Sequence, residues 1–201
     1  MIVGFDLACN TGIARVSTKT RAVPVTLRLD LNRRTGSHPL LRLSVLHAEV
    51  VEFLDESVRA TGEQIELLGV ENYSFARSGP GSFTAGEFGG VLRMIVAQRR
   101  IPLIVVPPVT LKCFARGKKA AFKKSADFDK AQMVAALGNY PGFKMDPEED
   151  DDRSDALWVA IFGAFVMAAR GAPASHPVVH FDSPYRREIA ARSRHDVVTY
   201  G

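Results

Sequence analysis

Three features of the sequence predict an α/β domain: a mixed β-sheet, laid down as a three-strand meander followed by βα units and flanked by helices. The first 30 residues carry three short runs of strand character. Apolar side chains then recur at helical spacing over residues 43–54, and after them strand-like and helix-like runs alternate. The chain has 201 residues, of which 46% are apolar and 24% charged, the balance of one folded domain. Disorder as the dominant state is excluded.

Residues 2–6 form the first strand, and Asn10, Thr11 and Gly12 supply a turn into a second over 13–17. Val25, Leu27 and Leu29 alternate with Thr26 and Arg28, a third strand with one wet face. Residues 32–37 read as a polar break. Leu43, Leu46, Val50, Phe53 and Leu54 mark the first long helix, among Arg42, Glu49, Glu52 and Asp55. A fourth strand over 67–70 ends at Glu71. A loop of Gly, Ser and Pro over 78–82 leads into a helix at 84–99, and a fifth strand at 103–106 stops before Pro107 and Pro108. A basic stretch covers 112–124. Lys130, Met133, Val134 and Leu137 mark another helix, and the last core helix runs over 152–170. The domain is read as residues 1–170, with 171–201 a tail holding one short helix near 186–192.

The N-terminus has no basic region and meets Asp6 at once, unlike a signal peptide. The longest apolar run, 156–169, is shorter than the ~20 residues a spanning helix needs. No membrane is expected, and a cytoplasmic location in a bacterial or phage-infected cell is. Cys9 and Cys113 form no CxxC pair, and Pro177 between His176 and His180 counts against a helical metal pair.

Four acids sit where an α/β sheet would gather them. Asp6 lies on the first strand, Glu71 ends the fourth, and Asp152 and Asp155 open the last helix. The i, i+3 spacing of the last two puts both carboxylates on one helical face. Acids in a helix's first turn are also stabilised by the macrodipole alone, but Asp inside an apolar strand is disfavoured. A cluster of four cannot remain ionised without cations. Hard oxygen ligands favour Mg²⁺ or Mn²⁺, and two such ions roughly 4 Å apart would clamp the attacking and leaving oxygens of a phosphodiester. Asp151 is a rival to Asp152 as ligand.

Lys112, Arg116, Lys118, Lys119, Lys123, Lys124 and Lys130 face only Asp127 and Asp129, an excess larger than the whole chain's net charge of +4. The positive field is therefore local, and phosphate is its natural partner. Tyr73 and Phe75, with Arg77 beside them, could stack on unpaired bases; Phe83 is read as core packing.

At this point the sequence resembles the RuvC family of Holliday-junction resolvases, of the RNase H-like superfamily, and especially its phage-type members. The residues that carry the resemblance are Gly4-Phe5-Asp6 with Thr11-Gly12-Ile13-Ala14, Val70-Glu71, and Gly86-Glu87-Phe88-Gly89-Gly90-Val91. Val106-Pro107-Pro108 through Lys112 to Lys118, Lys130-Ala131-Gln132-Met133 and Asp152-Arg153-Ser154-Asp155-Ala156-Leu157 follow in the same order. The resemblance implies a homodimer that binds four-way DNA junctions and nicks symmetric strands with Mg²⁺ or Mn²⁺. It implies that Asp6, Glu71, Asp152 and Asp155 bind the metal. Lys112 and Lys130 would lie near the scissile phosphate, with Lys124 a rival to Lys130 as the catalytic lysine. The chain departs from the family pattern at Ala8, where glycine is common, and at Ser74, where an aromatic often stands. The segment between Gly117 and Lys130 is also longer than usual.

Two other readings stand beside it. The run Ser78-Gly79-Pro80-Gly81-Ser82-Phe83-Thr84 is similar to a signature of TsaB-like, actin/hexokinase-fold scaffolds in tRNA modification, against which Asp152, Asp155 and the basic stretch count. A junction-binding protein that does not cut is the third.

Overall fold

Strand β1 (Ile2–Asp6) turns into β2 (Asn10–Val16) and then β3 (Val25–Asp30), an antiparallel meander. The computed structural model describes residues 1–36, 38–72, 80–118, 128–138, 140, 144–145 and 151–199, with 80–83 and 176 given by backbone alone. Helices α1 (Leu31–Thr35) and α2 (Pro39–Thr61) lead to β4 (Leu67–Glu71), α3 (Pro80–Arg99) and β5 (Leu103–Val106). Then come α4 (Pro108–Arg116), α5 (Lys130–Leu137), α6 (Asp151–Ala169), α7 (His176–His180) and α8 (Pro184–Arg192). The sheet order is β3-β2-β1-β4-β5, with β4 and β5 parallel to β1. This is the mixed sheet that the sequence predicts.

The two-residue period of the strands decides which side chains meet. Val3, Phe5, Ile13, Leu68 and Val70 pack with Leu46, Val50 and Leu54 of α2 and Phe88 and Leu92 of α3. Ile2, Ala14, Val16, Leu67, Ile104 and Val106 pack under α6 on the other face. By the same parity Gly4, Asp6, Gly12, Gly69 and Glu71 belong to the α6 face. So does Arg28, which pairs with Gly12 across the β2–β3 ladder.

Helix α6 is apolar on all sides and lies between the sheet and an outer layer, as an all-round apolar helix must. At Gly4 and Gly12 it presses on the sheet backbone without intervening side chains. A Cβ on Gly4 would stand 2.2 Å from the carbonyl oxygen of Ala156, and one on Gly12 would stand 2.0 Å from that of Asp152. The outer layer is held by aromatic contacts: the Phe114 ring meets Trp158, Phe162 and Phe165 edge-on, and the Trp158 indole N–H donates to the Met133 carbonyl at 2.9 Å.

Several boundaries differ from the sequence reading. Asn10, Thr11 and Gly12 are strand, because Gly12 pairs with Asp6; the turn lies before them, where the Thr11 hydroxyl donates to the Ala8 carbonyl at 2.6 Å. The polar break at 32–37 contains α1, capped by Asp30, which accepts from the Arg33 N–H at 2.9 Å, and ended by Gly36 at φ 58°. Helix α3 begins at Pro80, inside the expected glycine loop. Pro177 does not prevent a helical turn, since it stands in the first turn of α7, where proline is tolerated. His180 packs edge-on to Tyr140.

The segment after Gly171 contributes Val178, Phe181 and Ala190 to the core under α6, and Val198 bridges to Leu103. Its anchor is Arg186. The guanidinium donates to the carbonyls of Phe114 at 2.9 Å, Ala115 at 2.6 Å and Phe181 at 2.8 Å, and it lies over the Trp158 ring at 5.3 Å. Two of those carbonyls belong to the last turn of α4, where the Phe114 carbonyl also accepts from the Gly117 N–H at 3.0 Å.

Two outcomes are expected. Gly12→Ala forces backbone against backbone and should cost at least about 1–3 kcal/mol, whereas Gly86→Ala, with nothing within 4 Å, should gain about 0.5–1 kcal/mol; urea denaturation of both variants checks the contrast. Arg186→Ala takes the guanidinium donors from the Ala115 and Phe181 carbonyls and should cost about 1–3 kcal/mol, read by thermal unfolding, with faster amide exchange in α8.

Candidate active site

The first carboxylate stands at the end of β1 and the second at the end of β4. The two strands are adjacent and parallel with Phe5 opposite Val70, so Asp6 and Glu71 leave neighbouring strand ends on the α6 side. Helix α6 delivers the other two. Asp152 and Asp155, both buried, lie in its first turns, where the helix dipole favours negative charge.

These acids act on one another. Burial pushes the Asp6 carboxyl well above its ordinary value, and the charges of Glu71, Asp155 and Asp152 push it further, against the pull of Lys130. Glu71 is pushed up to about 7, by burial first and by Asp155 next. Asp155 is pushed up to about 6, by burial ahead of Asp151 and Asp152, while Lys130 and Lys112 oppose. Desolvation and like charges together explain the direction in all three.

Lys130 opens α5 because Asp129 caps that helix. The Asp129 carboxylate accepts from the Gln132 N–H at 2.8 Å, and the Gln132 side chain accepts from the Asp129 N–H at 3.0 Å, a reciprocal box. The ammonium then reaches Asp151 at 2.8 Å and Asp152 at 3.8 Å. Burial lowers the Lys130 pKa, but the hydrogen bond to Asp151 and the charges of Asp155, Asp151 and Asp6 outweigh it, and the net direction is up. Lys112, on α4, adds a second positive field at Glu71 and Asp155.

The structure thus brings together Asp6, Glu71, Asp152, Asp155, Lys130 and Lys112. Arg116 ends α4 and Lys118 is exposed just beyond it. Tyr73, Phe75, Arg77, Lys119, Lys123 and Lys124 lie outside the described residues. Asp151 differs from Asp152: it is engaged with Lys130, and it is absent from the charges that act on Asp6, whereas Asp152 is among them.

Arg28 is a residue that sequence reasoning passed over. Its Nε lies 3.3 Å from the second carboxylate oxygen of Asp152. The alternation over 25–29 marked it as wet, and strand parity places that wet face under the first turn of α6. Arg153 anchors the same edge, donating to the Thr26 hydroxyl at 2.8 Å.

The donor set suits a hard divalent cation: four carboxylates, all shifted toward the protonated form by burial first and by one another's charge next, a penalty that a cation would relieve. Among the described residues, no three acid, histidine or cysteine side chains are drawn closely enough together to form a finished cage. No described helix is long and apolar enough to cross a membrane.

No protein-family profile matches the chain. Over 120 residues, 60% of the chain, it is 28% identical to the crossover junction endodeoxyribonuclease RuvC of Thermomicrobium roseum, and the match spans 65% of that protein. Over 126 residues it is 29% identical to RuvC of Carboxydothermus hydrogenoformans, spanning 71% of it. The solved structure of Thermus thermophilus RuvC superposes with a TM-score of 0.61 at 19% identity, covering 85% of this chain and 96% of that one.

The chain is RuvC-like in sequence and fold.

The same fold is found in the yeast mitochondrial Holliday junction resolvase, with a TM-score of 0.50 at 14% identity over 96% of this chain. It is also found in T. thermophilus RuvC solved with a Holliday junction substrate, with a TM-score of 0.54 at 18% identity. The mixed five-strand sheet flanked by helices is shared with these structures, so the expected fold is the observed one.

The raised carboxyl pKa values carry a measurable sign. A carboxyl that binds its proton more tightly folded than unfolded loses native stability as pH rises above its unfolded value, because folding then opposes ionisation. For Glu71 that window runs from 4.5 to about 7. In EDTA, Glu71→Gln should therefore gain on the wild type between pH 4.5 and 7 in thermal melts. Added Mn²⁺ should close the gap at pH 7.5 by stabilising the wild type.

Proposed function

We propose that this chain is a divalent-metal-dependent endonuclease that cuts branched DNA, with the four-way junction as its substrate. The observation that carries the reading is the convergence of Asp6, Glu71, Asp152 and Asp155 at one sheet end, flanked by Lys130 and Lys112. The RuvC relatives, named as crossover junction endodeoxyribonucleases, support it.

In this reading Asp6, Glu71, Asp152 and Asp155 hold two Mg²⁺ or Mn²⁺ ions. When bound, the ions supply Lewis-acid activation of water and stabilisation of the departing 3′ oxygen. The chain's own part is orientation and charge. The strand ends fix Asp6 and Glu71, α6 fixes the other two, and Lys130 offsets charge that develops on the phosphate during in-line attack. The basic residues that follow α4 in the sequence, Lys118, Lys119, Lys123 and Lys124, with Arg116 at its end, track the DNA backbone. Tyr73, Phe75 and Arg77, which follow Glu71 directly, contact bases or phosphates near the branch. The active form is a homodimer, as symmetric nicking of two strands requires, and it works in the cytoplasm.

The test compares a labelled four-way junction with a linear duplex, in Mg²⁺ and in EDTA. Paired nicks confined to the junction and to Mg²⁺ are expected. Glu71→Gln and Asp155→Asn should lower the rate by at least about 100-fold while junction affinity changes little. Binding should weaken with salt, log K falling by about 0.9 per phosphate contacted on duplex arms. Normal cutting by either variant overturns the carboxylate assignment. Tight junction binding without cutting would make the protein a binding module, and neither binding nor cutting would favour a scaffold.

A further inference from the structure

Both carboxylate oxygens of Asp152 face cations. Oδ2 lies 3.3 Å from Arg28 Nε and Oδ1 lies 3.8 Å from Lys130 Nζ. Lys130 is more closely engaged with Asp151, at 2.8 Å, so the nearer cation on Asp152 is the arginine. Asp152 is also pinned from below, since its carbonyl lies against Gly12, the residue paired with Arg28 across the ladder. The ion pair, the ladder and the close approach thus act on one place where β3 meets the start of α6. The acids nearby are not closed into a cage among the described residues. One of them is spoken for.

We propose that Arg28 is a positioning residue that holds Asp152 in a resting arrangement and releases it to the metal when a DNA phosphate takes the guanidinium. The Arg28 side chain is 39% exposed, whereas that of Asp152 is 11% exposed, so the arginine stands at the mouth and the carboxylate behind it. Guanidinium binds phosphate through two parallel N–H bonds, a closer match than the 3.3 Å ion pair from Nε to Asp152. An arriving phosphate therefore competes for Arg28 and leaves Asp152 with its charge uncovered, next to Asp6. Metal loading and substrate binding become coupled through one side chain, and by linkage each strengthens the other. The proposal rests on the metal-dependent reading above.

The test is Mn²⁺ affinity measured by calorimetry on the full chain, with and without a linear duplex, which supplies backbone phosphates without the branch. Without DNA, Arg28→Ala should bind Mn²⁺ roughly five- to tenfold more tightly than wild type, the lower range of coupling between two sites. Duplex should tighten Mn²⁺ binding to the wild type and do so much less in Arg28→Ala. Arg28→Lys keeps a cation beside Asp152 and should return most of the wild-type behaviour. Arg153→Ala, which removes a neighbouring charge that rests on Thr26 instead, should leave Mn²⁺ affinity near the wild-type value. Unchanged Mn²⁺ affinity in Arg28→Ala, with or without a lower melting temperature, overturns the proposal, as does an equal gain in Arg153→Ala. Absence of Mn²⁺ binding in every variant would overturn the metal-dependent reading itself.

Discussion

The backbone-to-backbone seat of α6 on the sheet is the constraint on which the rest depends. Glycine at positions 4 and 12 lets the helix sit where any side chain would collide with the carbonyls of Ala156 and Asp152. An ordinary sheet–helix layer is held apart by side chains. Here that spacing is given up on β1 and β2, while on β4 the Val159 side chain packs onto Gly69, 2.6 Å from where a Cβ would stand. The gain is positional. The first turn of α6 lands beside the ends of β1 and β4, within reach of the charges on Asp6 and Glu71. Apolar burial around Trp158, Phe162 and Phe165 then stabilises a placement that the acids themselves resist.

That resistance is the second organising fact. Four carboxylates gathered in a largely buried place oppose folding when ionised, and their pKa values are all raised accordingly. The chain tempers this with cations that are themselves held in place. Lys130 is set at the first position of α5 by the Asp129–Gln132 box, and Arg28 is set by strand register. Such a site trades stability for readiness to accept cations, the usual tension where function needs like charges together.

Much of this was legible in the sequence. Alternation gave the meander, and the order of strands and helices specified a mixed sheet. Asp6 inside an apolar strand, Glu71 at a strand end and the i, i+3 acids pointed to one site, and strand parity shows why they meet. Other features were hidden for physical reasons. Arg28 lies on a face that alternation marks only as wet, and nothing local says that a helix start lies above it. The choice between Asp151 and Asp152 turns on which one Lys130 engages, a contact across 21 residues. One-turn helices such as α1 and α7 carry too few residues for any period to show, and their caps, Asp30 for one, look like ordinary loop residues.

The C-terminal segment shows most clearly how a tail-like sequence can serve the site. Residues 184–192 have no apolar stripe, so nothing in them predicts burial. Yet Arg186 donates to the Phe114 and Ala115 carbonyls at the end of α4 and lies over the Phe114 and Trp158 rings. Trp158 in turn holds α5 through the Met133 carbonyl. One arginine and one tryptophan therefore tie together α4, α5, α6 and α8. Lys112 stands on the first of these, Lys130 on the second and two of the acids on the third. A lysine opposes carboxylate charge usefully only if its helix cannot swing away, because side-chain freedom dilutes a short-range field. The distal segment thus fixes the distance between cations and acids without touching either.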